Sequence, residues 1–257
     1  GRREPHVRSC AGLRYRTRRP EHLSLMKISC ILTACNENSD YSDFASPFVQ
    51  AWKTLLPTVD VKIVYVGDNL SPSLTKIEHH IEKFEPLEGV STAFSAQYIR
   101  LLYPGLLPFK GGIIISDIDM IPMNLRYFTD SIAHVEDDCF VTYRHGVAGP
   151  KQVAMCYNVA APRVWSEVSG IETIQDIRHR LSNRYSQISY DDAHGRAGWF
   201  TDQLDLHCQL TKWHQSGGSW VRLCDRRTGF QRLNWMHPPT IDQVEEKIEK
   251  GFYTDYH

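Results

Sequence analysis

Two aspartates one residue apart follow an apolar run in the stretch "GGIIISDIDMIPMN", which spans residues 111–124. The carboxylates of Asp117 and Asp119 repel each other and resist desolvation, so the position is either solvated or occupied by a cation. In an extended segment, residues i and i+2 project to the same side, so both carboxylates can face one Mg²⁺ or Mn²⁺ and leave coordination positions for phosphate oxygens. Because the chain holds seventeen Asp, the spacing alone is weak evidence, and a solvated loop with a capping Asp is the alternative.

The elements expected around this motif alternate between strands and helices. Strand patterns cover 27–35, 61–68 and 111–116, and helical patterns cover 43–56, 71–84 and 91–102. This alternation predicts a parallel sheet covered by helices. Ligands of such sheets bind beyond the carboxyl ends of the strands, which is where Asp117 and Asp119 leave their strand.

The second half of the chain does not repeat this alternation of strands and helices. Short strand patterns at 139–143 and 153–159 are followed by helical patterns at 162–168, 171–184 and 241–251, with an aromatic loop at 190–200 and a helix that begins at Thr201. We therefore predict an α/β fold in which a Rossmann-like mixed sheet, flanked by helices, is followed by an α+β half.

Charge is distributed unevenly along the chain. Residues 1–25 hold seven Arg against Glu4 and Glu21, about +5, so the remainder carries about −6 of the formal net charge of −1. A nucleic-acid-binding body is therefore not expected. The first segment has neither apolar periodicity nor a signal-peptide core, and we expect a dispensable basic arm. In the first interpretation, this arm is disordered, or is upstream or expression-derived sequence. In the alternative, it is an Arg-rich arm that serves in targeting or binds RNA.

Cysteine usage and hydropathy bear on the compartment. The seven cysteines show no C-x-x-C spacing, which disfavours a zinc site or a disulfide framework and suits a reducing compartment. No stretch reaches the roughly 18 apolar residues of a membrane span. These features predict a soluble, cytoplasmic protein with no membrane span.

Further residues that could do chemistry lie in the second half. Asp202 and Gln203 open a helix after the aromatic loop, where a carboxylate either acts on a substrate or occupies the first helical turn. Asp191 and Asp192 precede them within that loop. Asn158 can both donate and accept, which suits sugar hydroxyls, although it also suits the end of a strand.

With these pieces in order, the sequence resembles metal-dependent glycosyltransferases of the GT-A fold from residue 26 to about residue 239. Its layout is most similar to the retaining family that contains glycogenin and bacterial lipo-oligosaccharide galactosyltransferases. That family has a D-x-D, an Asn-Ala-Gly segment, an Asp-Gln pair and a late metal-binding His, which match "DID", "CYNVAA", "FTDQLDLH" and "NWMHPP" here. The residues after Asn158 and around His237 depart from the family's pattern. Soluble glycosyltransferases of large DNA viruses, which work in the host cytosol, are also similar in size and layout.

The resemblance and the expected strand ends together imply a set of site residues. A cation, Mn²⁺ or Mg²⁺, would be held by Asp117, Asp119 and His237. The candidate catalytic residues are Asp202, Gln203, Asp191 and Asp192. The candidate donor-binding residues are Ala34, Asn36, Asp68, Gln97, Arg100 and Asn158. A solvated helix face is the alternative for Gln97 and Arg100, and a surface or packing role is the alternative for His237.

The sequence thus predicts transfer of a hexose or deoxyhexose from a nucleotide diphosphate sugar to a glycan hydroxyl. One domain, 26–257, would bind the nucleotide sugar through 26–124 and the acceptor through 125–257. Inversion would require a carboxylate that deprotonates the acceptor, whereas retention fits the resemblance and Gln203 near the reacting carbon. The alternatives are a non-catalytic sugar-binding protein and a nucleotidyltransferase; the latter usually begins with a Gly-rich basic loop, and "LTACNENSD" has neither glycine nor lysine.

Overall fold

The protein is built on one seven-stranded mixed sheet. The computed structural model describes residues 24–234 and 240–257. The strands of this sheet are β1 (Ile28–Asn36), β2 (Asp60–Val66), β3 (Ile81–Phe84), β4 (Gly112–Ile115), β6 (Cys139–Thr142), β7 (Asn158–Ala160) and β8 (Ser219–Arg222). Their order is β3-β2-β1-β4-β7-β6-β8. The first four run parallel, β7 is antiparallel to both β4 and β6, and β8 is parallel to β6.

Helices cover both faces of the sheet. They are α1 (Ser39–Ser42), α2 (Ala45–Leu55), α3 (Pro72–Thr75), α4 (Thr92–Ile99), α5 (Leu125–Asp130), α6 (Pro162–Ser169), α7 (Ile174–Ser186), α8 (Thr201–Gln215), α9 (Asp225–Thr228) and α10 (Ile241–Glu249). The α/β fold predicted from the alternating pattern is confirmed.

Two hydrophobic cores follow from the alternation of side chains along the strands. Ile31 belongs to the core that contains Trp52 of α2, whereas its neighbour Leu32 belongs to the core that contains Phe94 of α4 and Trp165 of α6. All five side chains are essentially inaccessible to solvent. A strand that is apolar on both faces is therefore buried from both sides, as a central parallel strand must be.

The predicted helix at 71–84 is wrong beyond its first turn. Ser71 caps α3 as expected, but α3 ends at Thr75, and residues 81–84 form β3, which pairs with β2. The helical spacing of Leu74, Ile77 and Ile81 is outweighed by the exposed edge of β2, whose backbone groups need partners. The strand pattern at 153–159 is likewise reduced to Asn158–Ala160.

A second, three-stranded sheet anchors the last residues of the chain. It contains β5 (Ile121–Pro122), β9 (Arg232–Leu233) and β10 (Asp255–Tyr256), with β10 in the middle. The fully buried Asp255 accepts a hydrogen bond from the Tyr157 hydroxyl at 2.8 Å and two from Arg232, at 2.9 and 2.7 Å. This buried ion pair fixes β10 beside the segment that follows β4.

Most of the predicted basic arm lies outside the described residues. At its end, Leu25 forms an isolated β-bridge with Glu136, and the Met26 amide donates to the Val135 carbonyl at 2.7 Å. Across 24–234 and 240–257, none of the helices combines the length and apolar character needed to cross a bilayer.

Candidate functional site

A cavity of about 360 Å³ opens at the carboxyl ends of β1 and β4. Nine of the residues singled out from the sequence line it: Ala34, Asn36, Gln97, Arg100, Asp117, Asp119, Asp192, Asp202 and Gln203. They come from strand ends, from α4, from the loop before α8 and from the start of α8. The fold therefore gathers at one edge of the sheet residues that are up to 169 positions apart, from Ala34 to Gln203.

The two aspartates of the D-x-D reach the cavity because β4 stops just before them. The Ser116 amide still donates to Leu32 of β1, at 3.0 Å, as the last bond of the parallel pairing. The chain then turns, and the Met120 amide donates to the Asp117 carbonyl at 3.3 Å. The segment is therefore a turn and not the extended stretch expected from the sequence, and within it Ile118 packs into the core while Asp117 and Asp119 line the cavity.

Arg100, the residue after α4, joins the first of these aspartates to Asp202. Its guanidinium forms an ion pair with Asp117 and a second one, 3.4 Å long, with Asp202. Burial opposes the positive charge on Arg100, but the two carboxylates outweigh it and raise the pKa of the guanidinium. Arg100 therefore stays charged and holds the start of α8 against the end of β4.

Asp202 is the most deeply buried carboxylate of the site, with 2% of its surface exposed. Burial raises the pKa of Asp202 to about 7, against the opposing effect of Arg100 and of the hydrogen bond from the Gln203 amide. Asp202 is the second residue of α8, and the residue before the helix, Phe200, makes no side-chain cap. Asp202 thus lies in the first turn of α8, which is one of the two roles considered from the sequence. Asp202 also lines the cavity, where the other role, action on a substrate, would take place.

His257 is a site residue that the sequence did not reveal. Its Nε2 atom lies 3.3 Å from Oδ2 of Asp119. The hydrogen bond with Asp119 raises the pKa of His257. Burial opposes the charge of Asp119, but the hydrogen bond and the charge of His257 hold the pKa of Asp119 below its usual range. No motif marks His257, since it reaches the cavity only through the pairing of β10 with β5 and β9.

The donor chemistry at this edge fits a divalent cation. Two carboxylates and an imidazole are ligands that Mn²⁺ accepts, and the 3.3 Å between Asp119 and His257 lets one ion contact both. Within the described residues, no group of three His, Cys, Asp or Glu side chains is arranged to hold a metal ion. Arg100 occupies Oδ1 of Asp117 instead. The predicted ligand His237 lies outside the described residues.

The loop that precedes α8 forms the outer wall of the cavity. Tyr190, Asp192, His194 and Trp199 line it, and the rings of His194 and Trp199 are 5.1 Å apart. The predicted aromatic wall is therefore present. Tyr41 and Met155, which carry no signal in the sequence, also line the cavity near the strand ends.

Three residues singled out from the sequence lie elsewhere. Asp68 is exposed beyond β2 and lines a separate depression. Asn158 is fully buried in β7, where its amide donates to the carbonyls of Ala154 and Met155, at 2.7 and 3.3 Å. Asp191 is exposed and accepts from the Ala193 amide within its own loop. The structure does not bring these three side chains into the cavity.

No protein-family model matches the chain, and no curated protein matches it. Solved structures that are similar include the galactosyltransferase LgtC in complex with donor and acceptor sugar analogues, at 12% identity and TM-score 0.46, over 89% of this chain and 86% of that one. A glycosyltransferase involved in the glycosylation of the major capsid of PBCV-1 has 12% identity and TM-score 0.45, over 90% and 92%. The mannosyltransferase PcManGT from Pyrobaculum calidifontis, in complex with GDP-Man and Mn²⁺, has 12% identity and TM-score 0.42, over 77% and 55%.

These three structures are of glycosyltransferases. Similarity at these TM-scores carries no argument about substrate or chemistry.

Proposed function

We propose that the protein is a metal-dependent glycosyltransferase that moves a hexose or deoxyhexose from a nucleotide diphosphate sugar to a glycan hydroxyl. The observation that carries this proposal is the position of Asp117 and Asp119, which project from the end of β4 into a cavity that also contains Asp202 and Gln203. Paired carboxylates at this point of a parallel sheet suit a cation that bridges to phosphate oxygens.

The charge of the cavity supports the need for a cation. Four carboxylates line it, from Asp117, Asp119, Asp192 and Asp202. Among the described lining residues, Arg100 is the only Lys or Arg, and both Asp117 and Asp202 already pair with it. A diphosphate would meet net repulsion in such a cavity, and a divalent cation on Asp117 and Asp119 would reverse that repulsion.

The two sides of the cavity suit the two parts of a nucleotide sugar. On the side of β1, Ala34, Asn36 and Tyr41 offer small, amide and aromatic surfaces for a base and a ribose. On the side of α8, Asp192, Asp202 and Gln203 surround the position for the transferred sugar and the attacking hydroxyl. The D-x-D lies between the two sides, where the diphosphate would be.

The chemistry divides between the cation and the chain's own residues. When bound, the cation would neutralise charge on the departing diphosphate. Arg100 fixes the orientation of Asp202 through their ion pair, and the Gln203 amide donates to Asp202 at 2.8 Å. An inverting reaction would use Asp202 or Asp192 to accept the proton of the acceptor hydroxyl. A retaining reaction would instead use Gln203 beside the reacting carbon.

The test is a panel of nucleotide diphosphate sugars incubated with the protein and Mn²⁺, with release of nucleoside diphosphate followed by ³¹P NMR. The proposal expects release from one or a few donors and its loss with a chelator. Pyrophosphate formation from a nucleoside triphosphate and a sugar phosphate would instead identify a nucleotidyltransferase. Metal-independent sugar binding without release would identify a non-catalytic protein. ¹H NMR of the product's anomeric proton distinguishes inversion from retention.

A further inference from the structure

One face of α4 contacts the segment 190–202. Phe94 and Gln97 lie one turn apart on this face, Ser91 caps the start of the helix, and Arg100 follows its end. Ser91 donates to Asp192 at 3.1 Å, the ring of Phe94 lies 5.3 Å from that of Tyr190, and Arg100 pairs with Asp202. The segment 190–202 thus docks along the length of α4.

Gln97 occupies the centre of this face, and both ends of its amide are engaged. Its Nε2 atom donates to the backbone carbonyl of Trp199 at 2.5 Å, and its Oε1 atom accepts from the Tyr190 hydroxyl at 3.1 Å. These partners lie at the two ends of the loop. One amide therefore clamps both ends of the loop onto α4.

The loop itself is exposed between these two ends. It is closed by a bond from the Asp191 amide to the Ala197 carbonyl, at 2.9 Å. At Gly198, φ is +77°, and a Cβ atom would lie 2.6 Å from the Ser189 carbonyl, so the turn there requires glycine. The turn at Gly198 brings the Trp199 carbonyl to Gln97. Residues 191–197 of the loop are exposed.

We propose that Gln97 is a positioning residue that holds the wall formed by Tyr190, Asp192, His194 and Trp199 against the cavity. The sequence had suggested Gln97 as a donor ligand. Gln97 also lines the cavity, but its Nε2 and its Oε1 each already bind the loop, and we assign its effect on substrate to the wall that it holds. The consequence for transfer rests on the proposed glycosyltransferase function, whereas the ordering of the loop does not.

The replacement Gln97→Glu tests the clamp because its effect depends on pH. A protonated Glu can still donate to the Trp199 carbonyl and accept from Tyr190, whereas an ionised Glu cannot donate and faces the carbonyl with a negative charge. Gln97→Met removes both bonds at every pH. The exposed Gln50→Glu on α2 makes the same charge change away from the loop.

Hydrogen exchange of the loop amides is the primary measurement, expressed as protection relative to the unprotected rate at pH 4 and pH 8. We expect Gln97→Glu to lower protection at 190–199 by about tenfold at pH 8, the size of one lost hydrogen bond. At pH 4, below the ordinary Glu pKa of about 4.3, most of the side chain is protonated, and protection should rise towards the wild-type value. Gln97→Met should lower it at both values, and Gln50→Glu at neither. Other ionisable groups face the loop and could also make its protection depend on pH. They are Asp192, His194, Arg100 and Asp202. Because the wild type contains the same groups, comparison with the wild type at each pH removes their contribution.

Substrate binding separates the clamp from a direct donor contact. With the clamp, Gln97→Glu at pH 8 should raise the acceptor KM while the affinity for a nucleoside diphosphate with Mn²⁺ stays within twofold of wild type. Unchanged loop protection in both Gln97 variants would overturn the proposal. If loop protection is unchanged but the affinity for the nucleoside diphosphate is lost, Gln97 contacts the donor directly. If no transfer is found, the exchange result still decides the clamp.

Discussion

Arg100 lies between Asp117 and Asp202, and it joins the end of β4 to the start of α8 through two ion pairs. The first half of the chain supplies Arg100 and Asp117, and the second half supplies Asp202. Removal of either carboxylate leaves a buried guanidinium with one partner, so the two halves of the site depend on each other.

Asp202 gives a stability prediction with a definite pH dependence. Burial raises its pKa from 3.8 in the unfolded chain to about 7 in the folded one, so the folded state binds the proton more tightly. The contribution is fully present below pH 3.8 and is lost as pH rises through 7, by on the order of 1.4 kcal/mol for each pKa unit of the shift. Urea unfolding from pH 4.5 to 8 should therefore show a steeper decline for wild type than for Asp202→Asn.

The same variant reports on catalysis. Asp202→Asn keeps an acceptor for the Gln203 amide but removes the negative charge, and it should slow transfer by ~10²-fold or more in single turnover. Affinity for a nucleoside diphosphate with Mn²⁺ should change little, because Asp117 and Asp119 are intact. Near-normal transfer would reduce Asp202 to a first-turn residue of α8.

Asp191 and Asp192 form a matched pair that tests the boundary of the cavity. Asp192→Asn removes a charge that lines the cavity while it keeps an acceptor for Ser91. Asp191→Asn makes the same change outside the cavity and keeps an acceptor for the Ala193 amide. We expect kcat/KM for the acceptor to fall on the order of tenfold for Asp192→Asn only, the cost of one hydrogen bond to a charged group. Equal losses in both variants would mean that loop order, and not the cavity charge, is what matters.

The last residues of the chain should depend on Asp255. Asp255→Ala would leave Arg232 without its ion-pair partner and Tyr157 without its acceptor, at a cost of about 3–5 kcal/mol in the free energy of unfolding. Asp242→Ala on the exposed face of α10 is the control and should have little effect. Because β10 carries His257 to Asp119, Asp255→Ala should also weaken Mn²⁺ binding, as should His257→Ala without the loss of stability. Mn²⁺ affinity that stays at the wild-type value in His257→Ala would remove this residue from the metal site.

The parts of the site that could be predicted are those with local signals. Asp117 and Asp119 follow an apolar strand directly, and Asp202 follows an aromatic loop, so the chain near each residue indicates its position. The strand β3 could not be predicted, because the spacing of Leu74, Ile77 and Ile81 is helical and only the neighbouring edge of β2 makes that segment extended.

Long-range partners explain the remaining differences. His257 lies beside Asp119 only because β10 inserts between β5 and β9, and nothing near His257 in the sequence indicates that pairing. The partners of Gln97 are 93 and 102 positions away. A glutamine on a helix face that is half exposed looks the same from the sequence whether it binds a ligand or clamps a loop.

The role of the D-x-D is tested most directly by isothermal titration of a nucleoside diphosphate into wild type, Asp117→Ala and Asp119→Ala, each with Mn²⁺ and with a chelator. Asp130→Ala, on the exposed end of α5, is the matched control. We expect metal-dependent binding in wild type and in the control, and its loss in both D-x-D variants. Asp119→Ala should unfold at a denaturant concentration near that of wild type, because carboxylate repulsion is relieved. Asp117→Ala should unfold at a lower concentration, because it leaves the buried Arg100 with only one of its two ion pairs. Metal-dependent affinity that is unchanged in both variants would contradict the account and leave Asp117 and Asp119 as residues of a solvated loop.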